Sequence, residues 1–351
     1  MARTLVMGCG GIGGIVSALL AESGHDTTSV TSNPEIFAAV ERCGFQVRGD
    51  GAPRGVRGRI VREVPEGEKF DYVLLCTQPP QVEEAARHAL PALKDNGFMV
   101  CFQNGLCESH VAQICGAGRT LGGVVAWGAA MLEPGLYERT ATGGFTIGAF
   151  QGVLDEARCG DLLRALEAIG PVEVTRNLAG KRWSKLAINA AISSLGTIGG
   201  DRLGALIGHR FVRRLTLEIM TEAVLVARAE GVKLDKVAGT VDLDFLALTD
   251  DERFAAGSPS LVAKHALLLA VGFRFRRMRS SMLSAIERGR VPAVDFLNGE
   301  IVTRGKREGI ATPVNARVQE LVWDVAKGKR RSGVALLREL WTDTASLRRD
   351  G

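Results

Sequence analysis

A cluster of glycines follows directly on a short apolar segment near the N-terminus. The apolar segment is Thr4–Met7, and a helical pattern begins inside the cluster. In a GxGxxG cluster between a strand and a helix, the first glycine permits a tight turn, the second lets the backbone approach a pyrophosphate, and the third allows the helix to pack on the strand. The amides at the helix N-terminus attract the anion. We therefore predict a dinucleotide-binding turn formed by Gly8, Cys9, Gly10, Gly11, Ile12 and Gly13.

The two halves of the chain differ in their hydrophobic patterns. Up to about residue 175, short apolar or strand-like runs such as residues 27–31, 72–77, 98–103 and 136–139 alternate with helical patterns, which predicts a parallel sheet covered by helices. From Trp183 onward the pattern is long helical periodicity with few strand signals. The sequence predicts an α/β Rossmann-type domain over residues 1–178 and an all-α domain over residues 179–351.

Composition narrows the classes of function. The seven cysteines all lie in the first half and form no CxxC pair, which favours reduced thiols in the cytoplasm over a disulfide framework or a zinc site. The N-terminus lacks the pattern of a secretory signal, and no apolar stretch reaches the roughly 20 residues of a membrane helix. The net charge is +5, and the basic runs 274–279 and 327–331 lack interleaved aromatics over any length. We expect a small-molecule substrate and neither a nucleic-acid nor a membrane partner, and no bound metal.

The end of the second predicted strand bears on the choice of cofactor. An NAD-binding domain usually carries Asp or Glu there, about 20 residues after the glycines, to bind the ribose hydroxyls. Here the residues are Thr31, Ser32 and Asn33, which offer donors and no carboxylate to repel a phosphate. The sequence favours NADP(H), with NAD as the alternative because no arginine stands among the three.

Three polar residues interrupt an otherwise apolar helical segment after Trp183. Lys185, Asn189 and Ser193 are spaced i, i+4 and i+8 and therefore share one helix face. A lysine against apolar walls prefers its neutral form, so its pKa falls toward the working pH, which suits it to donating a proton. The alternative is a lysine that extends to solvent beside two incidental polar groups.

These features occur together with two further motifs. Gln103-Asn104-Gly105 follows a predicted strand, and Ser280-Ser281-Met282 precedes the segment 295–299. In this order the motifs resemble the ketopantoate reductase (2-dehydropantoate 2-reductase) family over most of the chain. The resemblance implies a Rossmann domain, a C-terminal domain like that of 6-phosphogluconate dehydrogenase, and NADPH-dependent reduction of a 2-oxo acid to a 2-hydroxy acid, a step of pantothenate biosynthesis. Relatives occur as monomers and homodimers.

The resemblance also implies roles for individual residues. Lys185 matches the catalytic lysine, and Asn104 matches an asparagine near both the nicotinamide and the substrate. Asn189 and Ser281 match substrate-binding positions. The structural alternatives are a turn residue for Asn104 and a helix N-cap for Ser281.

The substrate side departs from the family pattern. Ser193, Leu203 and Met278 stand where the family typically has Asn, and Ala293 stands where it has Glu. We keep Ser193 as a predicted substrate-binding residue. A pocket that loses such partners no longer favours a hydroxylated substrate, so a bulkier or more apolar 2-oxo acid than ketopantoate, or another carbonyl compound, is expected. The arginines within 276–279 could bind its carboxylate.

The cofactor side departs at two positions, and two other functions remain open. Gln78 and Ser32 stand where the family commonly has Lys and Arg, and both are still predicted to contact the cofactor. One alternative is a non-catalytic NADP(H)-binding sensor, consistent with the altered pocket. The other is a different two-domain dehydrogenase, such as an opine dehydrogenase.

Overall fold

The computed structural model describes residues 2–48, 53–236, 242–254 and 258–345. Its contacts divide the chain into two units. The first unit comprises Met1–Gln103 and Cys107–Leu178, and the second comprises Asn104–Leu106 and Ala179–Gly351. The sequence places residues 104–106 in the first predicted domain. The structure groups them with the second unit because Leu106 packs in that unit's hydrophobic core and Gly105 lies against the backbone of Phe296.

The first unit contains the strands and the first five helices. Its strands are β1 (Thr4–Met7), β2 (Thr27–Val30), β3 (Phe45–Arg48), β4 (Arg54–Val56), β5 (Arg59–Val61), β6 (Phe70–Leu75), β7 (Leu93–Cys101), β8 (Thr120–Val125), β9 (Ala129–Glu133), β10 (Leu136–Arg139), β11 (Phe145–Ala149) and β12 (Val172–Val174). Its helices are α1 (Gly11–Glu22), α2 (Pro34–Cys43), α3 (Val82–Ala89), α4 (Glu108–Cys115) and α5 (Glu156–Glu167).

An eight-stranded sheet has the order β12-β11-β8-β7-β6-β1-β2-β5. The strands from β8 to β5 in this order are parallel to their neighbours, and β11 is antiparallel to β8. Leu5 and Val6 of β1 are fully buried, as expected for a parallel strand covered on both faces. The predicted parallel sheet is confirmed, and β1 lies between β2 and β6.

A second sheet, which the sequence does not predict, has the order β4-β3-β10-β9. Its strand β10 coincides with the predicted strand-like run 136–139, whereas β3 and β9, which pair with β10, and β4, which pairs with β3, are not predicted. This sheet packs on α1, where a Cβ added to Gly14 would lie 2.1 Å from the ring of Tyr137. Glycine at position 14 therefore permits the small sheet to approach the helix that follows the glycine turn.

The described residues of the second unit form helices, as predicted. The helix that leads into this unit, α6 (Leu178–Gly199), begins at the last residue of the first unit. The others are α7 (Leu203–Gly208), α8 (Arg210–Ala229), α9 (Leu243–Leu246), α10 (Asp250–Phe254), α11 (Pro259–Arg274), α12 (Ser281–Glu287), α13 (Asn298–Glu308), α14 (Pro313–Ala326) and α15 (Val334–Asp343).

The central helix of this unit is α8, which is buried along most of its length and packs against α7, α13, α14 and α15. Its Glu222 carboxylate accepts hydrogen bonds of 2.9 Å from the backbone amides of Val314 and Asn315 at the start of α14. A buried carboxylate thus satisfies amides that a helix N-terminus leaves without an intrahelical partner. Within the described ranges, no helix combines the length and hydropathy that crossing a bilayer requires.

Candidate functional site

The glycine turn between β1 and α1 has the backbone that a pyrophosphate requires. Gly8 has φ +97°, a conformation that L side chains rarely adopt. Gly10 stands at the N-cap of α1 with no side chain capping the helix, and a Cβ added there would meet no atom within 4 Å. The turn therefore presents an open, uncapped helix N-terminus, which fits a bound phosphate.

Close packing surrounds the rest of the turn. A Cβ added to Gly13 would lie 1.8 Å from the carbonyl oxygen of Gly8, so only glycine lets α1 approach β1 here. Ile12 is half-buried, and a Cβ on Gly11 would lie 2.9 Å from the carbonyl oxygen of Ala129. Burial raises the pKa of the Cys9 thiol to about 12, which makes it a poor nucleophile.

One residue that contacts this turn is not among the predicted site residues. The hydroxyl of Tyr137 on β10 donates a 3.0 Å hydrogen bond to the carbonyl oxygen of Cys9. Tyr137 is fully buried. Its strand was predicted, but the pairing of β10 with β3 that forms the small sheet leaves no local signal in the sequence.

The residues after β2 and β6 lie at the same edge of the sheet as the glycine turn, because β1, β2 and β6 are parallel neighbours. Ser32 and Gln78 are exposed, and Thr31 is buried. The Asn33 side-chain oxygen accepts from the amides of Glu35 at 2.9 Å and Ile36 at 3.0 Å, and so caps α2. Asn33 can therefore offer a ligand only its amide donor.

The polar stripe lies on α6 as predicted from its spacing. Lys185, Asn189 and Ser193 are each half-buried, whereas most of the intervening residues are buried. The backbone carbonyl of Ser193 accepts a 2.8 Å hydrogen bond from Ser280 Oγ, which joins the end of the stripe to the residue before α12. The stripe is thus a partly open face on a helix that is otherwise part of the core.

Asn104 is exposed and belongs to the same unit as Lys185. Leu106 lies in the core cluster that contains Trp183 and Leu186, which are close to Lys185 along α6. The segment that carries Asn104 is therefore anchored in the core beneath α6. The two residues of the predicted catalytic pair therefore belong to the same unit, although they are far apart in the sequence.

The structure corrects the alternative role considered for Ser281. The N-cap of α12 is Ser280, whose Oγ accepts from the amide of Leu283 at 3.2 Å. Ser281 is the first residue of the helix and is exposed. Its side chain is consequently not required for capping.

The four positions that depart from the family pattern have different environments. Ser193 and Ala293 are half-buried, Leu203 is buried, and Met278 is 41% exposed. The amide of Leu203 donates a 2.9 Å hydrogen bond to the carbonyl oxygen of Met278. These two apolar side chains therefore belong to neighbouring backbone segments.

Two family descriptions match the chain. Residues 4–152 match the one described as ketopantoate reductase PanE/ApbA, and residues 177–326 match the one described as ketopantoate reductase PanE/ApbA C terminal. The 2-dehydropantoate 2-reductase of Pyrococcus horikoshii is similar, with 26% identity over 332 residues that make up 94% of this chain and 98% of that protein.

Two solved structures have a similar fold. A PanE/ApbA family ketopantoate reductase from Ralstonia eutropha JMP134 gives a TM-score of 0.78 at 24% identity and covers 94% of this chain and 100% of that one. D-mandelate dehydrogenase in complex with NADH and anilino(oxo)acetate gives 0.78 at 20% identity, with 93% and 99% covered. At these identities the likeness concerns the fold.

Proposed function

Because the chain belongs to the ketopantoate reductase family, we propose that it reduces a 2-oxo acid to a 2-hydroxy acid with NADPH as the hydride donor. The observation that carries this proposal is the half-buried stripe of Lys185, Asn189 and Ser193 on α6. A lysine on a partly open face of a core helix can meet a substrate and still be shielded from bulk water. Family membership favours this reaction over that of an opine dehydrogenase.

Different residues of this chain have different roles in the reaction. When bound, the cofactor would supply a hydride to the carbonyl carbon of the substrate. Lys185 donates a proton to the carbonyl oxygen as negative charge develops there, which lowers the barrier most in the transition state. Asn104 orients the substrate next to the nicotinamide, and the substrate-binding residues are Asn189, Ser193 and Ser281.

The glycine turn holds the pyrophosphate through backbone amides, and the residues after β2 contact the adenosine ribose. A protein of similar fold was solved with NADH, so the choice of dinucleotide depends on the residues of this chain. None of Thr31, Ser32, Asn33 and Gln78 carries a carboxylate that would repel a 2'-phosphate. We infer that NADPH is preferred.

The substrate is proposed to be more apolar than ketopantoate, because Leu203, Met278 and Ala293 offer no hydrogen bonds to a substrate hydroxyl. For its carboxylate, the exposed arginines before α12 are the candidates. Arg279 already forms an ion pair with Glu287, with contacts of 2.8 and 2.5 Å. This leaves Arg276 and Arg277 as the carboxylate-binding candidates.

The experiment that tests this function follows the loss of reduced nicotinamide absorbance with a panel of 2-oxo acids. The panel includes ketopantoate, aliphatic acids of increasing length and aromatic acids. We expect turnover of an apolar acid and poor turnover of ketopantoate. Efficient ketopantoate reduction, at about 10⁴ M⁻¹s⁻¹ or above, would contradict the substrate proposal. Tight NADPH binding with no acid reduced would favour the sensor function instead.

Two further properties of the protein are proposed from its sequence. We place the protein in the cytoplasm on its cysteine pattern, and we regard a homodimer as compatible with the family. Size-exclusion chromatography with light scattering on the full chain tests the oligomeric state.

A further inference from the structure

Few positively charged side chains lie near the residues after β2, where the 2'-phosphate of NADPH would bind. The carboxyl ends of four neighbouring parallel strands, β6, β1, β2 and β5, form the edge where the glycine turn lies. The three residues that follow each strand are Gly8, Cys9 and Gly10; Thr31, Ser32 and Asn33; Arg62, Glu63 and Val64; and Cys76, Thr77 and Gln78. Among these described residues, Arg62 carries the single positive charge.

The strand register places Arg62 beside the residues after β2. β5 is parallel to β2, with Val30 paired with Val61. The pairing continues one residue further, because the amide of Thr31 donates a 3.0 Å hydrogen bond to the carbonyl oxygen of Val61. Arg62 is thus the next residue on a strand about 4.8 Å away, alongside Thr31 and Ser32.

The side chain of Arg62 is available for a ligand. Arg62 is exposed, and within the part of the chain that the structure describes its guanidinium forms no hydrogen bond or ion pair. By contrast, Arg59 at the start of the same strand forms a two-point ion pair with Glu68 at 2.8 and 2.6 Å. The two arginines of this strand therefore differ: one is engaged within the protein, and the other is not.

Two carboxylates lie near the residues after β2, so binding of a phosphate there requires a nearby cation. Glu35 in the first turn of α2 and Glu63 next to Arg62 are both exposed. Either carboxylate would disfavour a phosphate dianion in the absence of a compensating charge. Guanidinium binds phosphate through two parallel hydrogen bonds, which makes arginine suited to offsetting them.

We propose that Arg62 binds the 2'-phosphate of NADPH and determines the preference for NADPH over NADH. This inference rests on the proposed function, since it assigns a residue to the cofactor specificity proposed there. The neighbouring strand β5 thus supplies the cation that the residues after β2 lack.

The test measures dissociation constants of NADPH and NADH for the full chain, without substrate, by calorimetry. Arg62→Ala should weaken NADPH binding about 10- to 100-fold, the value of a lost charged hydrogen-bonding pair, and change NADH binding by less than about twofold. Arg62→Lys should retain part of the preference. The control is Arg57→Ala, because Arg57 is also exposed but lies before β5, at the opposite end of the strand, where it contacts the carbonyl oxygen of Glu41.

If Arg62→Ala weakened the binding of NADPH and NADH equally, the proposal would be overturned, because Arg62 would then contact a part of the dinucleotide that NADPH and NADH share. An unchanged preference would overturn it as well and would leave the proposed NADPH specificity intact. A wild-type chain with no preference for NADPH would overturn both this assignment and that specificity. The reductase reaction itself is tested separately through Lys185.

Discussion

The hydroxyl of Tyr137 donates a 3.0 Å hydrogen bond to the carbonyl oxygen of Cys9, across 128 positions of the chain. Cys9 is part of the glycine turn, and the ring of Tyr137 fills the space that Gly14 leaves on α1. One side chain of the small sheet therefore fixes both the turn and the helix that follows it. We infer that this sheet holds the turn in its phosphate-binding conformation.

Replacing Tyr137 by Phe should keep the ring packing and remove only the hydrogen bond. The buried carbonyl of Cys9 would then lack this partner, and we expect NADPH and NADH to bind about 3- to 10-fold more weakly, with their ratio unchanged. Tyr72→Phe is the matched control, because the Tyr72 hydroxyl donates a 2.9 Å bond to the carbonyl oxygen of Arg158, away from the turn. Calorimetry checks both variants. Unchanged binding in Tyr137→Phe would show that the turn holds its shape without this bond.

Lys185→Ala should lower kcat by about 10² to 10⁴ on a 2-oxo acid that the wild type reduces, because a general acid acts mainly in the transition state. NADPH binding should change little, since Lys185 belongs to the second unit and the glycine turn to the first. Lys181→Ala is the control: Lys181 lies one turn earlier on α6, with its ammonium 3.4 Å from Asp235. Full kcat in Lys185→Ala would mean that another group donates the proton.

The wild-type chain should bind NADPH at least about tenfold more tightly than NADH, a difference of about 1.4 kcal/mol. Ser32→Asp should reverse this preference, because a carboxylate at this exposed position would repel the 2'-phosphate and accept hydrogen bonds from the ribose hydroxyls. Fluorescence titration of both dinucleotides measures the change. The comparison variant is Ser32→Asn, which adds bulk without charge, and a reversal there as well would argue against the electrostatic explanation.

The stability of the second unit should depend on the protonation of Glu222. Burial raises the pKa of this carboxyl to about 7, from 4.5 in the ordinary case. Since the folded state binds the proton more tightly, the contribution of Glu222 to stability is fully present below pH 4.5 and is lost as the pH rises through about 7. The stability advantage of the wild type over Glu222→Gln should fall by up to about 3 kcal/mol between about pH 5 and about pH 8. Urea unfolding at several pH values measures the free energy of unfolding of both proteins. A difference between them that does not change with pH would contradict the raised pKa of Glu222.

Local patterns in the sequence predicted the elements whose geometry is itself local. The turn after β1 follows from the spacing of Gly8, Gly10 and Gly13: Gly8 takes a positive φ, Gly10 leaves the helix N-terminus open, and Gly13 lets α1 approach β1. The shared face of Lys185 and Asn189 follows from the period of the α-helix. Neither prediction needed distant contacts, which is why the fold class and the stripe could be read from the chain.

Contacts between distant segments decided the rest. The small sheet depends on pairing β3 with β10, and the placement of Asn104 depends on Gly105 approaching Phe296. The sequence by itself determined that no cation follows β2, and the parallel register of β5 decided that Arg62 lies beside that position. Strand order and register are set by the burial of side chains across the whole sheet, so no local window of sequence contains them.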